Sequence, residues 1–314
     1  MTKNKLRHFV TVADLSDDEV ELLYRIAADT KAQMGQGVLS TALAGRVLGM
    51  IFEKPSMRTR LSFQSAMIQA GGHAIDIRGE EIGLGKRESV KDVANVMSRY
   101  VDAVMLRTFA HRNVETLACH ATVPVINGLS DSAHPCQALA DLFTVREKLG
   151  TLKGLTLVFV GDGNNVARSL AMLCTKLGMK FVLSAPEGHD FEESFVSAAA
   201  KKLRRKPPVK MIRDPRKAVR SADVIYTDVW ASMGQESEAE ERKKKFRPYQ
   251  VNGALMKLAP RDALVMHCLP AHRGDEITDE VIDSPNSIVY DQAENRLHAQ
   301  KALLFHLLGV GGAE

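Results

Sequence analysis

Short apolar runs alternate with stretches whose apolar residues recur at helical spacing along most of this chain. Runs at residues 47–52, 72–77, 103–107, 123–127, 155–160, 181–184, 224–228 and 263–268 have the length and composition of buried strands. Ser16-Asp17-Asp18-Glu19 reads as a capping box, opening a helix with a stripe of Val20, Leu23, Ile26 and Ala27. Leu61, Phe63, Met67 and Ala70 predict a helix after the first strand. Helical patterns also cover 89–100 and 166–177, and a further helix begins near His134. Strands alternating with helices argue for an α/β fold of two similar parallel-sheet lobes, with helices on both faces of each sheet. The break falls near Gly150, giving domains at 1–149 and 150–293. The last helix, about 294–308, is expected to carry the 294–314 segment back onto the first lobe.

Composition narrows the function classes. A chain of 314 residues suits two domains of ordinary size. Hydrophobic content of 45% and charged content of 25% are those of an ordinary globular protein. The net charge of +4 suits a small anionic substrate and is too weak and dispersed for nucleic acid. Basic runs at 201–206 and 242–245 read as solvated faces or loops. Cys119, Cys136, Cys174 and Cys268 lie far apart, which favours free thiols in a reducing compartment. No apolar run approaches the roughly 18 residues of a membrane span. The N-terminus lacks the apolar core of a secretory signal, so a cytoplasmic location is expected.

In parallel α/β sheets, ligands collect beyond the carboxyl ends of the strands. After the first strand comes Ser56-Met57-Arg58-Thr59-Arg60, two hydroxyls and two guanidiniums at a helix start. Backbone N–H groups and the positive end of the helix dipole attract an anion there, and arginine adds fork-shaped hydrogen bonds. Arg107 follows the third strand, and His134 with Gln137 follows the fourth. This first set, with Arg58 and Arg60, suits a phosphate joined to a polarisable carbonyl. The later strands are followed by Asn165, by Asp228 with Ser232, and by Cys268. That second set suits an amino acid. A pair of such lobes facing one another suggests group transfer, with the active site in the cleft between them.

Taken singly, most of these residues have duller readings. Gly161-Asp162-Gly163-Asn164-Asn165-Val166 half matches a dinucleotide fingerprint, but Val166 occupies the third glycine position. Leu183 and Ser184 stand near the place of the expected acidic residue, so a nicotinamide site is not expected. His134 with Cys136, or His267 with Cys268, match no closed zinc spacing. A histidine after a strand can serve as a helix cap, and Cys268 as a small buried hydrophobe.

Together, Phe52 to Arg60, His134 to Gln137 with the following Ala-Leu-Ala-Asp-Leu, Gly161 to Val166, Asp228 to Glu236, His267 to Arg273 and Asp291 to Arg296 resemble the aspartate/ornithine carbamoyltransferase family. The resemblance covers nearly the whole chain. Ser232-Met233-Gly234 and His267-Cys268-Leu269-Pro270 place it nearest the ornithine-using members. It implies an enzyme that binds carbamoyl phosphate through Ser56, Met57, Arg58, Thr59, Arg107, His134, Gln137, Cys268, Leu269 and Arg296. It implies ornithine binding through Asn165, Asp228, Ser232 and Met233, with Arg107, His134, Asp228 and Cys268 in catalytic roles. Citrulline and phosphate would leave, in arginine biosynthesis or degradation. No cofactor or metal is implied, nor a nucleic-acid or membrane partner, and the expected assembly is a homotrimer or a multiple of trimers. Two positions depart from the family pattern: Met57 stands where Thr is most common, and Gly83 where many relatives have Gln.

Overall fold

The computed structural model describes residues 7–207, 209–231 and 236–310. The chain divides into two units, Met1–Phe143 with Glu294–Glu314, and Thr144–Ala293.

The first unit begins with helix α1 (Asp17–Gly35), opened by the Ser16–Glu19 capping box. Strand β1 (Val47–Phe52) leads through α2 (Met57–Gln69) to β2 (His73–Arg78). A one-turn helix, α3 (Gly79–Ile82), and α4 (Val90–Tyr100) precede β3 (Ala103–Arg107). Helix α5 (His111–His120) leads to β4 (Val125–Leu129), after which α6 (Pro135–Leu149) runs into the second unit. All pairings are parallel, in the order β2-β1-β3-β4. The N-terminal segment covers the outer edge of β4: Phe9 N–H donates to the Val125 carbonyl and Asn127 N–H to the Phe9 carbonyl, each at 2.8 Å. A closed edge cannot template pairing with another chain. Phe63, Met67 and Ala70 pack into the core as their spacing predicts, but Leu61 lies on the outer face of α2, and Ala66 is buried instead.

The second unit repeats the plan. Strand β5 (Thr156–Val160) feeds α7 (Asn165–Lys176) and β6 (Lys180–Ser184). Helix α8 (Glu193–Leu203), β7 (Val209–Met211) and α9 (Pro215–Ala218) lead to β8 (Val224–Thr227). Then follow α10 (Ala239–Phe246), α11 (Gly253–Met256), β9 (Leu264–His267) and α12 (Asp279–Ile282). Helix α13 (Val289–Leu307) starts in this unit and ends in the first. The sheet order is β7-β6-β5-β8-β9, again parallel throughout. Two similar parallel-sheet units with helices around them match the expected fold class. The short, exposed β7 had no hydropathic signal of its own.

In each sheet the strand order reverses beside one strand. The β1/β3 boundary divides the first, and the β5/β8 boundary divides the second. Helices leave such neighbours in opposite directions and open a crevice beyond their carboxyl ends. The candidate residues stand there because of the register. Phe52 pairs with Arg107 in one sheet, and in the other Val160 pairs with Thr227, which pairs with His267.

Candidate active site

In the first unit, Ser56 caps α2. Its hydroxyl accepts from Thr59 N–H at 3.3 Å and lies 3.1 Å from the Thr59 hydroxyl. The cap is what sequence predicts for a serine ahead of an apolar-periodic run. Thr59 is fully buried, and its Oγ1 accepts from two guanidiniums, Arg107 Nη1 at 3.4 Å and Arg296 Nη2 at 3.2 Å. Arg296 also donates from Nη1 to Gln137 Oε1 at 2.6 Å, and Gln137 Nε2 donates to Asp141 Oδ1 at 2.8 Å. The β3–β4 ladder shifts register between Leu106 and Arg107, which pair with Asn127 and Leu129 and leave Gly128 of β4 without an opposite residue.

His134 is buried beside this cluster. Loss of solvent, with the positive charges of Arg296, Arg107 and Arg58, holds its imidazole well below the ordinary histidine range. It is therefore an uncharged ring at neutral pH, able to donate one N–H without competing for a proton. Cys136, two residues further, donates weakly to the Asn127 carbonyl, and burial pushes its thiol up to about 12. It is a core residue. Met57 is 63% exposed, while Arg60 turns outward to pair with Asp76 at 3.3 Å and leaves the cationic cluster. A cavity of about 940 Å³ opens beside the cluster, with Ser56, Met57, Arg60, Gly83, Lys86 and Phe109 among its walls. Gly83 ends α3 at φ +64°, and a Cβ there would lie 2.8 Å from Arg87 Cβ. A side chain at this position is therefore strained and crowded.

In the second unit, Asn164 caps α7, its Oδ1 accepting from Val166 N–H and Ala167 N–H at 3.0 Å each. Its Nδ2 donates to Asp228 Oδ2 at 2.8 Å. Asp228 Oδ1 accepts from the Cys268 thiol at 2.9 Å and from Val229 N–H at 2.8 Å. Asn165, the residue predicted for this site, is the half-buried first residue of α7 next to that cap. Ser232 and Met233 lie outside the described residues.

The segment after β9 is held from beneath. His267 and Glu276 are both fully buried, with Nε2 3.0 Å from Oε1. His267 Nδ1 accepts from Leu269 N–H at 2.9 Å, so the ring proton sits on Nε2 and points to Glu276. Glu276 Oε1 also accepts from His272 N–H, and His267 N–H donates to Gln292 Oε1 at 3.1 Å. Leu269 takes φ +56°, a left-handed conformation rare for a branched side chain, and these bonds fix it. Asp228, His267 and Cys268 bring ligand atoms within 4.8 Å of one another, the one such group among the described residues. Both ring nitrogens of His267 already have partners.

The basic run at 242–245 is not wholly a solvated face, because Arg242 is buried. It donates to Asp162 and, from Nε, to the Trp230 carbonyl at 2.5 Å, anchoring the segment that follows Asp228. Gly163 belongs to the same neighbourhood. A Cβ there would lie 3.0 Å from the backbone of His189 and Asp190, so its glycine serves loop packing. Asn164, Glu276 and Arg242 were not singled out from sequence. For Asn164 the signal was available, as an Asn directly ahead of a helical pattern.

A buried cluster of guanidiniums in the first unit and an acid–thiol pair in the second are the polar groups of a group transferase of this chain's family. The chain belongs to the aspartate/ornithine carbamoyltransferase family. The family's carbamoyl-P binding domain matches residues 7–147, and its Asp/Orn binding domain matches 153–307. The chain is 53% identical over 306 residues to the ornithine carbamoyltransferase of Pyrococcus abyssi, covering 97% of this chain and 96% of that one. It is 53% identical over 304 residues to the anabolic ornithine carbamoyltransferase of Pyrococcus furiosus, covering 96% of each. A solved ornithine carbamoyltransferase from Pyrococcus furiosus superposes with a TM-score of 0.92 at 51% identity, over 100% of both chains.

Proposed function

We infer that this chain transfers the carbamoyl group of carbamoyl phosphate to the side-chain amine of L-ornithine, releasing L-citrulline and phosphate. The observation that carries this reading is the meeting of Arg107 and Arg296 at the Thr59 hydroxyl, with a buried, uncharged His134 under the influence of the same arginines. In this reading Ser56, the backbone at Met57, Arg58 and Thr59 hold the phosphate at the amino end of α2. Thr59, Arg107 and His134 aim donors at the carbamoyl oxygen, where negative charge grows as the amine attacks. Gln137 and Arg296 complete the donor pocket, with the Cys268 and Leu269 carbonyls assigned to it by resemblance.

The δ-amine of ornithine, like that of lysine, has a pKa of about 10 in water and is mostly protonated. A desolvated site lowers that value and releases the nucleophile. Asp228 and Cys268 orient the amine, while Asn165, Ser232 and Met233 bind the amino-acid end. The departing phosphate accepts the proton, so no separate general base is required. The name of the Pyrococcus furiosus relative supports a role in arginine biosynthesis.

No helix among the described residues is long and apolar enough to cross a membrane. Four free cysteines support a reducing, cytoplasmic setting. A homotrimer, or a multiple of trimers, is part of the same proposal. Light scattering would test the assembly, since a monomeric mass contradicts it. The activity itself is tested by incubating the purified protein with carbamoyl phosphate and ornithine. Citrulline is expected, and its absence under conditions that keep the protein folded would end this reading.

A further inference from the structure

Arg296 is held at a third point that the transfer reaction does not itself require. Its Nε–H donates to Gln300 Oε1 at 2.9 Å, one turn along α13. Gln300 is fully buried, and its Nε2 donates to Ser62 Oγ at 2.7 Å on α2. Ser62 Oγ–H in turn donates to the Thr59 carbonyl at 3.2 Å. The chain of bonds therefore leaves Arg296, crosses to α2, and returns to the residue whose hydroxyl accepts from Arg296 Nη2. We propose that Gln300, with Ser62 behind it, is a positioning residue that sets the plane of the Arg296 guanidinium for binding the phosphate of the donor.

The physical argument has two parts. A guanidinium at the end of a flexible side chain keeps much rotamer freedom when unrestrained. Fixing Nε fixes the plane of the fork, and Nη1 and Nη2 then fall on Gln137 Oε1 and Thr59 Oγ1. The three named acceptors are also neutral. An amide at position 300 orients the arginine without cancelling the charge that a phosphate dianion needs, as a carboxylate there would do. The buried amide fills both halves of its hydrogen-bonding capacity, accepting from Arg296 and donating to Ser62, as a buried polar group must. This inference rests on reading the Arg296 pocket as the donor site, and it names residues that reading did not include.

The test uses Gln300→Leu, which keeps the volume but cannot accept from Nε, and Ser62→Ala at the far end of the chain of bonds. Inorganic phosphate is titrated by calorimetry, and KM is measured separately for carbamoyl phosphate and ornithine. A hydrogen bond to a charged group is worth enough that Gln300→Leu should weaken phosphate binding and raise the carbamoyl phosphate KM about tenfold. The ornithine KM should stay within about twofold, a split that a general loss of structure would not produce. Ser62→Ala should give about a threefold shift in the same direction, and the double variant should be no worse than Gln300→Leu, because both act through one bond. Unchanged phosphate affinity in folded Gln300→Leu, or additive losses in the double variant, would overturn the proposal. If Gln300→Leu fails to fold, Ser62→Ala decides by the presence or absence of its phosphate shift. A wild-type protein that makes no citrulline would defeat the transferase reading, while the phosphate titration would still decide on Gln300.

Discussion

Arg107 and Arg296 direct guanidinium nitrogens at one hydroxyl, Thr59 Oγ1, from residues 48 and 237 positions away in sequence. In the proposed site Thr59, Arg107 and His134 would stabilise a developing oxyanion more than the ground state, because the donors are already in place when charge appears. Replacing Arg107 with Ala should lower turnover by roughly 10²–10³, the usual loss for one such donor. Ornithine binding, which depends on the second unit, should change far less. Steady-state kinetics with each substrate varied will show the split, and unchanged turnover would remove Arg107 from the mechanism. The two buried thiols outside the site make a complementary prediction. Because burial pushes Cys136 up to about 12, it should resist alkylation in the native protein, and buried Cys174 should resist with it. Exposed Cys119 should label readily, and peptide mass mapping before and after unfolding checks all three.

The elements explain both what the sequence disclosed and what it withheld. Strands such as β3 and β5 are buried along their whole length, so continuous apolar runs announced them. The capping residue at Ser16 announced its helix by local chemistry. Asp228 and Cys268 could be singled out because each directly follows a strand. Their 2.9 Å contact depends on the Thr227–His267 register, which no local pattern encodes. Gln300 stands out only once α2 is brought against it and Ser62 accepts from its amide, and the burial of Arg242 inside a basic run follows from its partner Asp162, 80 positions earlier. At this scale Asn164 is the residue to change. Asn164→Ala removes the α7 cap and should cost about 1 kcal/mol of stability. It also removes a partner of Asp228, so amino-acid binding should weaken together with the melting temperature. A variant that loses stability while its ornithine KM is unchanged would show that the cap and the site are independent. Gly83→Gln should destabilise by roughly 1–2 kcal/mol, since it forces a side chain into the left-handed conformation. Thermal melts will show whether that backbone is fixed.

At the scale of the molecule, the chain builds two parallel sheets of the same plan and places polar residues at the switch point of each. The buried arginine–histidine cluster also leaves a mark on overall stability. His134 is held unprotonated in the folded protein, whereas in the unfolded chain it takes up a proton below its ordinary value of 6.5. The unfolded state then binds more protons, so stability falls as pH drops from about 6.5 towards the depressed folded value, and is flat for this group above it. Unfolding free energy measured from about pH 7 to about pH 5 should decline. The slope in that window should be shallower in a His134→Asn variant, and equal slopes would mean that His134 titrates alike in both states. The central claim is transfer of a carbamoyl group to a nitrogen of ornithine. The most direct measurement supplies carbamoyl phosphate labelled with carbon-13 at its carbonyl, together with ornithine, and follows the label by nuclear magnetic resonance. The account predicts that the label moves into the ureido carbon of citrulline at a rate set by the protein, and that acetylornithine, putrescine and aspartate leave it in the donor. Label that reaches only bicarbonate, or that is captured by one of the other amines in preference to ornithine, would contradict it.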